Sequence, residues 1–177
     1  FLIPGLVLVA LLAWGFLAPG EPDRQPAPDF ELELLDGGTI SSEDLAGKPV
    51  VLNFWASWCG PCRDEARTFE AAWKRYEPEG VRFVGVNVCD LEPEAKEFVR
   101  EFGVTYDVVR DPDQELADAL GIECRLPQTF FVDHEWVFAG EGSGRQVDER
   151  NGAAVLGAIS KEKLRREIEA MLEKAAE

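Results

Sequence analysis

Short apolar runs alternate with amphipathic stretches along most of this chain. Val50–Phe54 is a run of branched and apolar residues, which predicts a buried strand. In the stretch that follows, Arg63–Tyr76, apolar residues recur at helical spacing, which predicts a helix. Similar patterns predict strands over Asp29–Leu34, Val81–Val88, Val108–Val109 and Thr129–Val132, and helices over Ser41–Leu45, Glu92–Phe102, Gln114–Leu120 and from Ser160 onward.

Two segments depart from this pattern. Phe1–Ala18 is apolar and uncharged, which is just long enough for a membrane span, and we interpret it as a transmembrane signal-anchor. A cleaved leader and a buried helix are the alternatives, although Pro19 makes a poor cleavage site. Residues 19–28 are rich in proline and predict an extended linker, which leaves residues 29–177 as the folded domain. Between His134 and Asn151 the pattern is irregular, and we expect an enlarged hairpin.

The composition is that of a globular protein, with 46% hydrophobic and 29% charged residues. The formal net charge is −16, which argues against nucleic acid as a partner. This charge could favour basic partners, or it could serve solubility alone.

Cys59 and Cys62 lie where the predicted strand Val50–Phe54 gives way to the predicted helix. The unpaired N–H groups and the positive dipole end of a helix stabilise a thiolate there. Cys59 would be the exposed nucleophile, and Cys62, one turn later, can close a disulfide with it. Pro61 suits the first helical turn because its missing N–H would have no partner.

A Cys-x-x-Cys pair can also be half of a zinc site or a structural disulfide. Zinc usually requires a second closely spaced pair of cysteines or histidines. The remaining cysteines, Cys89 and Cys124, are far apart in sequence, so dithiol redox chemistry is the better interpretation, and no metal is expected.

The segment Trp58-Cys59-Gly60-Pro61-Cys62 resembles the active site of the thioredoxin superfamily. The wider frame from Asn53 to Cys59 resembles the membrane-tethered TlpA/ResA/CcmG branch. This resemblance implies a thioredoxin-like α/β fold with a mixed sheet, helices on both faces and an N-terminal extension. It also implies that the strand Val81–Val88 and the helix Glu92–Phe102 form an insertion in the minimal fold.

The same resemblance assigns roles around the cysteines. Pro127 matches the cis-proline that faces the pair, and the backbone of Leu126 would then bind substrate as a strand does. Asn53 stands where thioredoxins carry a buried aspartate, and it cannot titrate. Glu65 matches a glutamate of the ResA-like branch that could relay protons, although it could equally be a solvated side chain of the helix. Arg67 replaces a helix-kinking proline and could favour the thiolate.

Cys89 and Cys124 are expected, from the family topology, to lie at the active-site edge of the sheet. A disulfide between them fits an oxidising compartment. Two buried free thiols and a redox relay with Cys59 and Cys62 are the other hypotheses.

The function implied by the resemblance is thiol–disulfide exchange on the outer side of a cytoplasmic membrane, with no cofactor other than the Cys59–Cys62 disulfide. The implied clients are disulfides of apocytochrome c during cytochrome c maturation, and the implied electron donor is a membrane thiol carrier of the CcdA/DsbD type. The alternatives are a general TlpA-like protein-disulfide reductase, a thiol peroxidase and a binding module without turnover. Whether the protein reduces or oxidises its clients depends on its reduction potential.

Overall fold

Eight strands form one mixed sheet in the computed structural model, which describes residues 25–139 and 154–176. The strands are β1 Glu31–Leu34, β2 Thr39–Ser41, β3 Val50–Trp55, β4 Arg82–Asn87, β5 Asp107–Arg110, β6 Gln128–Val132, β7 Phe138–Ala139 and β8 Ala154–Leu156. Their order across the sheet is β2-β1-β5-β4-β3-β6-β7, and β8 also pairs with β6. The pairs β3–β4 and β4–β5 are parallel, and the other pairs are antiparallel.

Within the part of the chain that the structure describes, five helices cover the two faces of the sheet. They are α1 Ser42–Leu45, α2 Gly60–Tyr76, α3 Glu92–Phe102, α4 Glu115–Ala119 and α5 Lys161–Ala175, with a 3-10 turn at Glu77–Glu79 after α2. Ser41 caps α1 in a capping box, and Ser160 caps α5, because each side chain accepts a bond from an otherwise unpaired N–H. Gly103 ends α3 in the left-handed conformation that glycine adopts without a steric penalty. The predicted α/β class, mixed sheet and helices on both faces are confirmed.

The strand β3 lies near the middle of the sheet, and all six of its residues are buried. Alternate side chains point to opposite faces. Val51 and Trp55 belong to the apolar cluster formed with α2, α3 and α5, whereas Leu52 and Phe54 belong to the cluster formed with α1 and α4. Burial on both faces explains why this strand reads as a continuous apolar run.

The folded region begins within the predicted linker. Ala27 is buried, and its N–H donates to the Trp136 carbonyl at 3.0 Å. Pro26 forms a β-bridge with Val137. The last residues of the segment 19–28 are therefore part of the domain.

The strands β7 and β8 occupy consecutive positions along the same edge of β6. Ala139 pairs with Phe131, and Ala154 pairs with the preceding residue, Phe130. Residues 140–153 thus enter between two neighbouring positions of what is otherwise one strand. The predicted enlarged hairpin falls largely, and the predicted turn at 151–152 wholly, outside the described residues, so both stay predictions.

Across residues 25–139 and 154–176, no helix combines the length and the apolar character that a membrane span requires. The predicted anchor Phe1–Ala18 lies outside the described residues.

Candidate active site

Cys59 and Cys62 form a disulfide at the N-terminus of α2, with 5.2 Å between their Cα atoms. Cys59 is the N-cap of the helix, and the N–H of Cys62 points at its sulfur, with 3.2 Å between N and Sγ. This N–H and the helix dipole are positioned to stabilise a thiolate on Cys59 once the bridge is reduced. Pro61 lies in the first turn of α2, as predicted.

The expectation of an exposed nucleophile is wrong for this oxidised state. Cys59 is 3% exposed and Cys62 is 2% exposed, because both belong to the apolar cluster beneath α2 and α3. The exposed group is the neighbouring Trp58, at 59%. Gly60 has open space around its Cα atom. The surface that a partner meets first is therefore the indole of Trp58.

The Leu126–Pro127 peptide bond is cis, in agreement with the resemblance. Pro127 immediately precedes β6, which pairs antiparallel with β3, the strand that leads to Cys59. Leu126 is half-buried and packs against both apolar clusters. This places the cis-proline loop and the cysteine pair at the same edge of the sheet.

Glu65 is buried, which decides against the solvated alternative. Its carboxylate accepts hydrogen bonds from Asn53 Nδ2 at 3.0 Å and from the N–H of Ile159 at 2.9 Å. Asn53 also donates to Thr129 Oγ1 at 3.2 Å, so the amide links α2 to β6. Burial raises the pKa of Glu65 to about 7, because these two hydrogen bonds offset only part of the desolvation of the charged form.

Glu65 lies one turn after Cys62 on the same helix, at a spacing that places two side chains on one face. The site therefore combines a cysteine pair with a buried carboxyl group that changes charge near neutral pH. The guanidinium of Arg67 lies 5.9 Å from the ring centre of Phe102, and its influence on the thiolate stays a prediction.

The loop that carries Trp58 is held by the loop between β4 and α3. Asp90 accepts hydrogen bonds from the Ser57 N–H at 2.6 Å and from its hydroxyl at 2.8 Å. The indole N–H of Trp58 donates to the Cys89 carbonyl at 2.8 Å. Sequence reasoning missed Asp90, although its place after β4 was a usable signal, because the carboxyl ends of parallel strands lie at one edge of a sheet.

A cleft of about 430 Å³ opens beside Trp58. Its walls include the exposed side chain of Leu91 and three acidic groups, Asp90, Glu94 and Asp111. Arg110 also lines this cleft, so a basic group stands beside the acidic groups and the apolar side chain of Leu91.

Cys89 and Cys124 form a second disulfide, with a Cα–Cα distance of 6.1 Å. It joins the β4–α3 loop to the loop before Pro127. The hypothesis of two free thiols is therefore wrong for this structure.

Comparisons with known proteins agree with this geometry. Residues 24–138, more than half of the chain, match the AhpC/TSA family. The thiol-disulfide oxidoreductase ResA of Bacillus subtilis (strain 168) is 35% identical over 143 residues, which cover 76% of this chain and 79% of that protein.

Solved structures show the same fold. A thiol:disulfide interchange protein of the thioredoxin family from Chlorobium tepidum TLS superposes with a TM-score of 0.72 at 26% identity, covering 86% of this chain and 99% of that one. A secreted thiol-disulfide isomerase from Corynebacterium glutamicum gives a TM-score of 0.72 at 25% identity and covers 90% of both chains. With the Cys59–Cys62 disulfide at its active site, the chain therefore belongs to the thioredoxin-like AhpC/TSA family as a ResA-like thiol–disulfide oxidoreductase.

Proposed function

We propose that this protein is a membrane-tethered, extracytoplasmic reductase of protein disulfides, and that its client is apocytochrome c before haem attachment. The observation that carries the reductase proposal is the Cys59–Cys62 pair at a helix N-terminus, beside the cis-proline loop and above the buried Glu65. The choice of client rests on the similarity to ResA and its branch.

In the proposed reaction, the Cys59 thiolate attacks one sulfur of a client disulfide. The client S–S bond breaks, a mixed disulfide forms, and the client's other sulfur leaves as a thiolate that takes up a proton. Cys62 then attacks Cys59 Sγ, which releases the second client sulfur and closes the Cys59–Cys62 bond. The client gains two electrons and two protons, and the enzyme becomes oxidised.

Leu126 and Trp58 would hold the client beside Cys59. The backbone of Leu126, just before the cis-proline, is offered for strand-like pairing with an extended client segment. Trp58 is an exposed aromatic surface on the opposite loop.

Glu65 would serve as the proton acceptor for Cys62 during resolution. A carboxyl group with a pKa of about 7 exchanges protons at neutral pH, where an ordinary glutamate is fully ionised. Asn53 cannot titrate and would fix the orientation of the Glu65 carboxylate through its 3.0 Å hydrogen bond.

The membrane tether would be Phe1–Ala18, with the linker from residue 19 holding the domain away from the lipid surface. The presence of two disulfides supports an oxidising compartment, and the similar Corynebacterium glutamicum protein is secreted. A membrane thiol carrier of the CcdA/DsbD type would return electrons to Cys59 and Cys62.

The proposal is tested by trapping the mixed disulfide. The full chain carrying Cys62→Ser is mixed with a disulfide peptide that contains the Cys-x-x-Cys-His haem-attachment motif, and the adduct is quantified by mass spectrometry. We expect a stable adduct on Cys59 with Cys62→Ser and none with the matched Cys59→Ser variant. A binding module without turnover would instead retain the peptide non-covalently in both variants.

The direction of exchange is tested by the reduction potential of the Cys59–Cys62 pair. We expect a value near −270 mV, as for a thioredoxin-type reductant, whereas a value near −120 mV would identify an oxidase. Equal rates with an unrelated disulfide peptide would point to a general TlpA-like reductase. Consumption of hydroperoxide would point to a peroxidase.

A further inference from the structure

The Cys89–Cys124 bridge is more accessible than the active-site bridge. Both of its cysteines are half-buried, whereas Cys59 and Cys62 are 3% and 2% exposed. A disulfide that reagents can reach is more readily reduced than one enclosed in a core. By this criterion, a small reductant reaches the second bridge more easily than the first.

The backbone around this bridge is strained. Five residues other than glycine have a positive φ among the residues that the structure describes, and four of them meet at this disulfide: Cys89 (53°), Gln114 (58°), Glu123 (45°) and Cys124 (53°). Residues with a Cβ atom are disfavoured in this region, and they persist there where the surrounding structure holds them. The strain is concentrated on the two loops that the bridge joins.

A side-chain oxygen lies where it can accept a hydrogen bond from either cysteine once the bridge is reduced. Gln114 Oε1 lies 3.0 Å from Cys89 Sγ and 3.3 Å from Cys124 Sγ. After reduction, either thiol can donate a hydrogen bond to this oxygen. The reduced pair therefore has a polar partner in place.

Both ends of the bridge adjoin the proposed client-binding groups. The Cys89 carbonyl accepts the indole N–H of Trp58 at 2.8 Å. Cys124 lies two residues before Leu126, whose backbone is the proposed pairing site for the client. The disulfide thus fixes the spacing between the two sides of the active-site edge.

We propose that Cys89–Cys124 is a second redox site, reducible by small monothiols, whose oxidised form holds Trp58 and Leu126 in position for protein clients. Reduction consumes two monothiol molecules, breaks the Cys89–Cys124 bond, delivers two electrons and two protons to the two cysteines, and forms one low-molecular-weight disulfide. The part that concerns clients rests on the proposed function.

The redox part is tested in the full chain carrying Cys59→Ser and Cys62→Ser. Because the chain has four cysteines, the second bridge is then the only disulfide within it. The protein is equilibrated with mixtures of reduced and oxidised glutathione, quenched with an alkylating reagent and analysed by mass spectrometry, while tryptophan emission is recorded.

We expect Cys89 and Cys124 to be alkylated together as the glutathione mixture becomes more reducing, with a parallel change in emission. A matched chain that also carries Trp58→Phe should lose the emission change and keep the alkylation. Structural disulfides resist the glutathione pool. A bridge that stays closed until the chain unfolds would therefore overturn the proposal, and so would alkylation without any Trp58-dependent change in emission.

The client part is tested in the chain carrying Cys89→Ser and Cys124→Ser, with Cys59 and Cys62 intact. We expect KM for the disulfide peptide to rise about fivefold, because the variant lacks the bridge that orders the two client-binding groups. The value of kcat should change less than about twofold. The rate with a small aromatic disulfide should be unchanged, since this substrate does not span the two loops. If the variant loses activity with both substrates, or with neither, the proposal that the bridge holds Trp58 and Leu126 in position for protein clients is overturned.

The two proposals fail in distinguishable ways. If the wild-type chain does not react with the peptide at Cys59, the reductase proposal fails. The glutathione titration of Cys89 and Cys124 still reports on the second redox site in that case.

Discussion

Glu65 is the residue whose environment differs most from its sequence context. It follows two charged residues of the helix, Arg63 and Asp64, yet it is buried. The resemblance raised Glu65 as a proton relay, but the sequence alone left burial and exposure equally open. Its second hydrogen-bond partner, the N–H of Ile159, is 94 residues away, and helical periodicity gives no information about such a distant contact.

The raised pKa of Glu65 makes stability depend on pH. Between pH 4.5 and about 7 the folded chain retains a proton that the unfolded chain releases, so the free energy of unfolding falls as pH rises through this window. The shift corresponds to about 3 kcal/mol. We expect Glu65→Gln to remove this fall, as measured by urea unfolding of the oxidised protein from pH 4 to 8.

The exposed Glu94 on α3 offers the matched control for this experiment. Glu94→Gln should leave the pH dependence of the wild type unchanged. If the Glu65→Gln chain loses stability across the window as steeply as the wild type does, another group causes the effect.

At the scale of elements, helix and strand periodicity predicted the sheet and its helices well. The bounds of α3 agree with the predicted helix, because Pro93 and Gly103 mark its two ends in sequence. The helical apolar spacing of α2 begins only at Arg63, whereas the prediction that Pro61 lies in the first turn agrees with the observed start at Gly60. The second disulfide depended on how two loops pack together, which spacing in sequence does not specify.

The contact between β3 and β4 depends on a glycine. A Cβ atom added at Gly85 would lie 2.9 Å from Trp55 Nε1 and 3.0 Å from Tyr106 Cε2, and both side chains are buried. We expect Gly85→Ala to lower the free energy of unfolding by about 1–3 kcal/mol through overpacking, as measured by denaturant unfolding.

Gly60→Ala serves as the comparison, because Gly60 has open space and lies in the first turn of α2. Its effect on stability should be near zero or slightly favourable. Equal losses in both variants would show that crowding against Trp55 is not the cause.

At the scale of the whole molecule, residues 140–153 lie in sequence between two strands, β7 and β8, that continue one another along β6. Ala139 and Ala154 occupy neighbouring positions along β6. We expect a chain with residues 140–153 deleted, and Ala139 joined directly to Ala154, to keep its thermal midpoint within about 5 °C. Reduction of a small aromatic disulfide should continue at the wild-type rate.

Circular dichroism on heating and the reductase assay check this deletion. The matched control removes fourteen residues that include β8, for example residues 147–160, and should abolish folding because β8 pairs with β6. An insoluble 140–153 deletion would contradict the interpretation of β7 and β8 as one interrupted strand.

The Cys89–Cys124 bridge also divides the chain mechanically. When an unfolded oxidised chain is pulled from its two ends, the segment between these cysteines, a separation of 35 residues, is shielded from tension. A reduced chain extends through it, which adds about 120 Å of contour length at roughly 3.3–3.6 Å per residue. In a single-molecule force measurement, the length of the extended polypeptide therefore reports whether the Cys89–Cys124 bond is oxidised or reduced.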